Sequence, residues 1–242
     1  MDIQNGKIVK GINFLNIKEV GDPVEMGRYY AEQGADELVY LDITATNEKR
    51  KVFLELVREI AQTINIPFTV GGGISTIDDV SALLDAGADK ISINSAAVKN
   101  PEIIADLAKR FGSQCIVVAI DTKHEETGWY VYLHGGKTKT SLEATNWAKQ
   151  AEELGAGEIL LTSMNNDGTK NGFANDITKV VSKSLNIPVI ASGGAGTMEH
   201  FKDIFIKGNA DAALAASVFH YKEMEIPALK KFLSNQNIPV RI

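Results

Sequence analysis

Residues 186–219 read NIPVIASGGAGTMEHFKDIFIKGNADAALAASVF. The apolar run from Asn186 to Ala191 enters Ser192-Gly193-Gly194-Ala195-Gly196, a turn with almost no side chains. A helix is predicted next. A second apolar run, from Asp211 to Ala215, then ends in Ala216-Ser217. The implied order is strand, glycine turn, helix, strand, small-residue turn. Turns without side chains let backbone N–H groups close on an anion, most of all where a helix begins. The stretch therefore predicts a phosphate cradle made from the ends of two neighbouring strands.

The same pattern occurs earlier, at residues 65–98, as NIPFTVGGGISTIDDVSALLDAGADKISINSAAV. Asn65-Ile66-Pro67, Gly72-Gly73, Thr76 and Gly87 match Asn186-Ile187-Pro188, Gly193-Gly194, Thr197 and Gly208 at an offset of 121. After a one-residue insertion, Ala88-Asp89 and Ser95 match Ala210-Asp211 and Ser217 at 122. Upstream, Gly34-Ala35-Asp36-Glu37 matches Gly155-Ala156-Gly157-Glu158, and Asp2 stands 119 positions before Asp121. A near-constant offset of half the chain means two similar halves, about 1–120 and 121–242.

Outside these stretches the pattern continues as alternating strands and helices. Helices are predicted from Pro23 to Gln33, Glu48 to Ile64 (apolar Val52, Phe53, Leu56 and Ile60 on one face), Ile77 to Ala86, Pro101 to Phe111, Leu142 to Leu154, Ile177 to Leu185 and Glu223 to Leu233. Strands are predicted from Glu37 to Asp42, Ile66 to Val70, Lys90 to Asn94, Cys115 to Ile120 and Glu158 to Leu161. Met1–Ile3 is too short to count as a strand by itself. Lys7 to Leu15 reads as an extended excursion, and Gly128 to Gly136 as an inserted hairpin. Strict βαβα order marks a parallel sheet with helical crossovers. Two halves of four units each predict one α/β domain, a closed (β/α)8 TIM barrel over residues 1–242, with function at the C-terminal strand ends. A doubly wound open sheet is the rival. It gives no reason for near-identical strand-end turns in both halves.

Composition bounds the function. The 242 residues are 44% hydrophobic, enough for a large core. A net charge of −6 disfavours nucleic acid as a partner. The single cysteine, Cys115, lies in the apolar run CIVVAI and reads as a small buried strand residue, so no disulfide framework is expected. No signal peptide and no apolar run of about 18 residues is apparent, which predicts a cytoplasmic protein with no membrane contact. His124, His134, His200 and His220 show no ligand spacing, so no metal is expected.

On the barrel reading, Asp2, Asp42, Asp121 and Asp167 lie at the C-terminal strand ends. Asp2 and Asp121 occupy equivalent places in the two halves and should face each other across the mouth. Opposed carboxylates suit general acid–base work when their environments differ; alternatively each caps a local turn. Gly72, Gly73, Asn94 and Ser95 in one half, and Ser192, Gly193, Gly194, Ala216 and Ser217 in the other, predict two cradles on opposite sides. A long substrate with a phosphate at each end would fit them. Asp167-Gly168 can add backbone donors beside the second cradle. At the other end, Glu37, Lys90 and Glu158 begin strands, with Ala212 in the fourth equivalent place. They form a charged ring that is either structural or the lining of a passage.

The segments GDPVE, ADELVYLDITA, FTVGGGI, ADKISINSAAV, FGSQCIVVAID, GAGEILLTSM, DGTK, IASGGAG and ADAALAASVFH together resemble the cyclase subunit of imidazole glycerol phosphate synthase, over nearly the whole chain. The resemblance implies a (β/α)8 barrel lyase of histidine biosynthesis without a cofactor. Such a cyclase takes ammonia from a glutaminase partner and a bisphosphorylated aminoimidazole carboxamide ribonucleotide. It forms imidazole glycerol phosphate and releases aminoimidazole carboxamide ribotide. Carried over by motif, Asp2 is the general acid and Asp121 the general base. Lys10 sits on a loop that closes over substrate. Gly73, Asn94 and Ser95 hold one phosphate, and Asp167, Gly168, Gly194, Ala216 and Ser217 surround the other. Glu37, Lys90 and Glu158 form the ammonia gate on the face where the glutaminase docks.

Two departures stand out. Asn165 replaces an aspartate common in the family. The family's first strand, with a fourth gate charge, precedes the position of Asp2. An α-amino group one residue from Asp2 favours its carboxylate form, the wrong direction for a general acid. The expectation is therefore that the natural protein begins about ten residues upstream. The rival functions are the related phosphoribosyl sugar isomerase of the same pathway and a phosphate-binding barrel without catalysis.

Overall fold

The structure, a computed structural model, describes the backbone of residues 1–12, 15–43 and 47–242 and the side chains of residues 1–9, 19–43 and 53–242. Eight parallel strands follow one another around the sheet in chain order: β1 (Asp2–Gln4), β2 (Leu38–Asp42), β3 (Phe68–Gly71), β4 (Lys90–Ile93), β5 (Ile116–Glu125), β6 (Glu158–Ser163), β7 (Val189–Ser192) and β8 (Ala212–Leu214). Sequential parallel pairing with helices in the crossovers is the (β/α)8 barrel topology. The doubly wound alternative, whose strand order reverses, is excluded. Among the described residues no ladder joins β8 to β1. A cleft of about 570 Å³ lies there, lined by Met1, Val39, Ala213, Phe201 and Leu229 among others.

The halves repeat each other in detail. The N–H of Phe68 donates to Asp89 Oδ2, and that of Val189 to Asp211 Oδ2, both at 2.9 Å. In each half the aspartate after the helix thus fastens the start of the preceding strand. Thr76 caps the helix Ile77–Asp85 by accepting from Asp79 N–H at 3.1 Å, and Asp79 returns the bond to Thr76 N–H. In the second half His200 Nδ1 accepts from Thr197 N–H at 3.2 Å. Such reciprocal caps fix where a helix leaves its strand-end turn.

The core follows from the strand pattern. Tyr40, Val70, Ile91, Val118 and Ile159 are fully buried, and Trp147 and Leu107 cover the sheet from the helical layer. A second apolar cluster, around Phe173, Phe201, Val218 and Leu229, sits beneath the helix Ile226–Asn235. Burying each such side chain contributes roughly 1.5–3 kcal/mol.

Several expectations need correction. Asp2–Gln4 is a strand despite its length, because it is paired on both sides: parallel to β2 and antiparallel to Lys7–Ile12. The excursion is a hairpin arm, Lys7–Ile12 returning as Leu15–Gly21. Its entry turn is Asn5-Gly6, both at positive φ (51° and 75°), the two-residue hairpin signal. The side chains of Lys10 and Val52 lie outside the described residues.

Cys115 is half-exposed in a 3-10 turn, not a buried strand residue, because the chain turns tightly after Gly112 and β5 begins only at Ile116. That strand runs past Asp121 to Glu125, since Gly128–Leu133 pairs with its overhang. The hairpin has a second arm, Thr138–Glu143, so Leu142 is strand and the following helix starts at Ala144 behind the Glu143 cap. Glu37 stands just before its strand rather than in it.

Candidate active site at the C-terminal mouth

A cavity of about 730 Å³ opens at the C-terminal ends of the strands. Asp2, Asp42, Asp121 and Asp167 reach it, as do Gly73, Asn94, Ser95, Gly168, Gly194, Ala216 and Ser217. Except for Lys10, whose side chain is outside the described residues, the site read from sequence at this face comes together in one concavity. The first turn arrives from β3 and β4, and the second from β7 and β8. Asp2 and Asp121 ride on β1 and β5, four strands apart and hence opposite one another.

Backbone geometry explains the glycines. Gly72 has φ +97°, and a Cβ there would stand 2.0 Å from the carbonyl oxygen of Asp42. Gly194 has φ +102°, and its Cβ would stand 2.0 Å from the carbonyl oxygen of Gly172. Each turn therefore lies against neighbouring backbone, the end of β2 for Gly72 and the end of the loop after β6 for Gly194, with no room for a side chain. After β4 and β8 the chain enters the short helices Ser95–Lys99 and Ser217–His220 through similar kinks. These are Asn94 at φ −130°, ψ −90° and Ala216 at φ −123°, ψ −68°. Sequence reading missed both short helices, which are below the length at which periodicity registers.

The Ser163–Gly172 loop is tied down on three sides. Asn166 Nδ2 donates to Gly172 O at 2.8 Å, Ser163 Oγ bonds Asn166 Oδ1 at 2.7 Å, and Gly172 N–H donates to Gly194 O at 2.8 Å. Asn165 Oδ1 accepts from His124 N–H at 2.8 Å, which gives this residue a role in holding the loop to the β5 overhang. These ties present Asp167 and Gly168 to the cavity.

Asp121 is the electrostatic centre. Enclosure by protein at the cavity floor pushes its pKa up to about 6, and the nearby charges of Asp167 and Asp2 act in the same direction. Asn94 Nδ2 donates to Asp121 Oδ2 at 3.0 Å and opposes the rise. A carboxyl with a pKa near 6 can take or return a proton close to neutrality. The Asn94–Asp121 bond was invisible in the sequence, where Asn94 reads only as part of a cradle.

At the opposite face Lys90 Nζ lies 2.9 Å from Glu37 Oε2 and 2.5 Å from Glu158 Oε1. Burial works against the Lys90 charge, but bonds from both carboxylates outweigh it and raise the pKa. Glu158 Oε2 is buried and has no hydrogen-bond partner among the described residues.

The fold and this mouth define an enzyme of the (β/α)8 barrel class built from two repeated halves. The family model for histidine biosynthesis proteins matches residues 1–225. The chain is 61% identical over 242 residues to the imidazole glycerol phosphate synthase subunit HisF of Flavobacterium psychrophilum, covering all of this chain and 96% of the relative. The subunit of the same name from Bacteroides fragilis is 61% identical over 241 residues with the same coverage. That of Hydrogenobaculum sp. is 58% identical over 243. The chain belongs to the histidine biosynthesis protein family.

Proposed function

We propose that this chain is the cyclase of an imidazole glycerol phosphate synthase. It uses ammonia to convert the bisphosphorylated aminoimidazole carboxamide ribonucleotide into imidazole glycerol phosphate and aminoimidazole carboxamide ribotide. The observation that carries the reading is the placement of two opposed aspartates between two repeated glycine turns in one cavity. Gly73, Asn94 and Ser95 hold one phosphate of the substrate. Gly168, Gly194, Ala216 and Ser217, beside Asp167, hold the other. This stretches the substrate across the mouth and sets its reacting centre between Asp2 and Asp121. Asp121 accepts a proton as general base, and Asp2 donates one as general acid. Lys10 closes over the bound substrate.

Ammonia enters from the N-terminal face, where a glutaminase subunit docks. Glu37, Lys90 and Glu158 form the gate, and the unpartnered Glu158 Oε2 offers an acceptor to a passing ammonia molecule. The charged ring favours this reaction over the sugar isomerase, which consumes no ammonia. Among the described residues no helix is long and apolar enough to cross a membrane, and we place the enzyme in the cytoplasm.

The test supplies the bisphosphorylated substrate with ammonium salt as the only nitrogen source. Formation of both products supports the reading; isomerisation alone, or binding without turnover, overturns it. Reversal of the gate charge, Lys90→Glu, should then lower glutamine-dependent turnover of the complex about tenfold more than turnover with added ammonium. The estimate rests on the cost of leaving three carboxylates together without their cation. Equal losses in the two assays would show that Lys90 only supports the fold.

A further inference from the structure

The hairpin inserted after β5 contributes a turn to the cavity that neither the repeat nor the strand-end glycines account for. Residues His134, Gly135 and Lys137 line the same concavity as the two aspartates. The turn is rigidly built. Leu133 and Thr138 are paired across the ladder, and Lys137 N–H donates to Leu133 O at 3.0 Å. His134, Gly135 and Gly136 follow one another at φ +55°, +63° and +79°. On one side His134 N–H donates to Ser95 Oγ at 3.2 Å. On the other, a Cβ on Gly136 would stand 2.4 Å from Met164 Cε. The turn is thus wedged between the Ser95 cradle and the loop that follows β6. Because Ser95 Oγ accepts from His134, its hydroxyl hydrogen remains available to donate to an anion.

Charge decides what this turn does. Four carboxylates line the cavity, those of Asp2, Asp42, Asp121 and Asp167. Among the described side chains, Lys137 is the one lysine or arginine that lines it. The other lysines of the hairpin are engaged elsewhere: Lys139 pairs with Glu125, and Lys123 lies over the Tyr132 ring at 5.9 Å. Lys137 has no ion-pair partner among the described residues. A phosphate monoester carries about −1.5 to −2 charges at pH 7, so a bisphosphate entering a mouth of four carboxylates needs a cation beside it.

We propose that Lys137 binds the phosphate seated at Gly73, Asn94 and Ser95, and that the turn from His134 to Lys137 forms the third wall of that cradle. Among the described side chains the second cradle has no equivalent, so the two ends of the site differ in charge. Substrate is thereby oriented as well as held. The proposal rests on the two-phosphate reading above.

Two measurements separate the proposal from that reading. In crystals soaked with inorganic phosphate, Lys137→Met should lose the anion at Gly73 and Ser95 and keep the one at Gly194 and Ser217, while Lys137→Arg keeps both. In ammonium-dependent assays at low salt, Lys137→Met should raise KM about tenfold, with the loss falling on KM rather than kcat. Added salt should narrow the gap to the parent, and Lys137→Arg should restore KM. Anions at both cradles in Lys137→Met, or an unchanged KM, would overturn the role of Lys137. Failure of the parent chain to turn over substrate would instead overturn the proposed reaction, and the phosphate-soaked crystals would still decide the case of Lys137.

Discussion

Asp121→Asn should lower ammonium-dependent turnover by about 10²–10⁴-fold, the usual loss when a positioned proton-transfer group is removed. The same variant should be more stable than the parent at pH 8. Burial raises the Asp121 pKa from 3.8 to about 6, so the folded state prefers the protonated form. A raised pKa contributes stability below the unfolded value, and that contribution is lost as pH rises through the folded value. The parent therefore carries a strained carboxylate above pH 6. The full shift corresponds to about 3 kcal/mol at most, and water at the mouth reduces it. Asparagine carries no such charge. Thermal melts should show the variant's advantage at pH 8 shrinking through pH 6 and absent near pH 4. An advantage independent of pH would mean that ionisation of Asp121 is not its source.

Gly194→Ala should be among the most damaging single methyl groups at the site, with Gly72→Ala. The residue sits at φ +102°, and the added carbon would meet the Gly172 carbonyl oxygen at 2.0 Å. That oxygen is backbone, so relief requires the Ser163–Gly172 loop to move away, breaking the Gly172–Gly194 bond of 2.8 Å. Conformational strain costs about 1–3 kcal/mol, and displacement of the loop adds to it. A loss of about 3 kcal/mol lowers Tm by roughly 6–12 °C in a chain of this size. Gly6→Ala is the control: its φ is +75°, but a Cβ there meets nothing within 4 Å. It should cost only the left-handed backbone penalty, about 1–2 kcal/mol. If the two variants melt together, crowding at Gly194 is not what requires glycine there.

Much of this architecture is legible in the sequence because it is written twice. The Asn-Ile-Pro strand entry and the Gly-Gly exit recur at an offset of 121, and the Ala-Asp restart recurs at 122, after a one-residue insertion. The structure shows why each recurs: Asp89 and Asp211 fasten their strands through the same bond, and a Cβ on Gly72 or on its equivalent Gly193 would crowd the last carbonyl of the preceding strand, Asp42 O at 2.0 Å and Ser163 O at 2.8 Å. Repetition turns weak local signals into a topology. What is written once was harder to read. The Asn5-Gly6 hairpin turn carries a strong local signal, but Met1–Ile3 is too short to register as a strand, and its two pairing partners are set by tertiary contacts. The second hairpin arm, TKTSLE, lacks an apolar alternation and is held by cross-strand partners such as Tyr130 and Tyr132. Cys115 illustrates the reverse error, since an apolar neighbourhood suggested a strand where the chain was still turning.

The candidate site shows the same division. Residue types at strand ends were readable, because the barrel gathers those ends in one place. Bonds between residues brought together from different strands and loops were not. Asn94 to Asp121 and Asn165 to His124 depend on distances that only the folded chain supplies. The hairpin at Gly128 to Gly136 is legible as an insertion, but its place at the cavity is not, because it lies outside the repeat.

The central claim is that the two repeated turns hold the two ends of one substrate across Asp2 and Asp121. The most direct test is a crystal structure of the chain soaked in inorganic phosphate. The account predicts one anion at Gly73 and Ser95 and a second at Gly194 and Ser217, on opposite sides of the cavity. An anion at a single turn, or anions only at the N-terminal face beside Lys90, would contradict it.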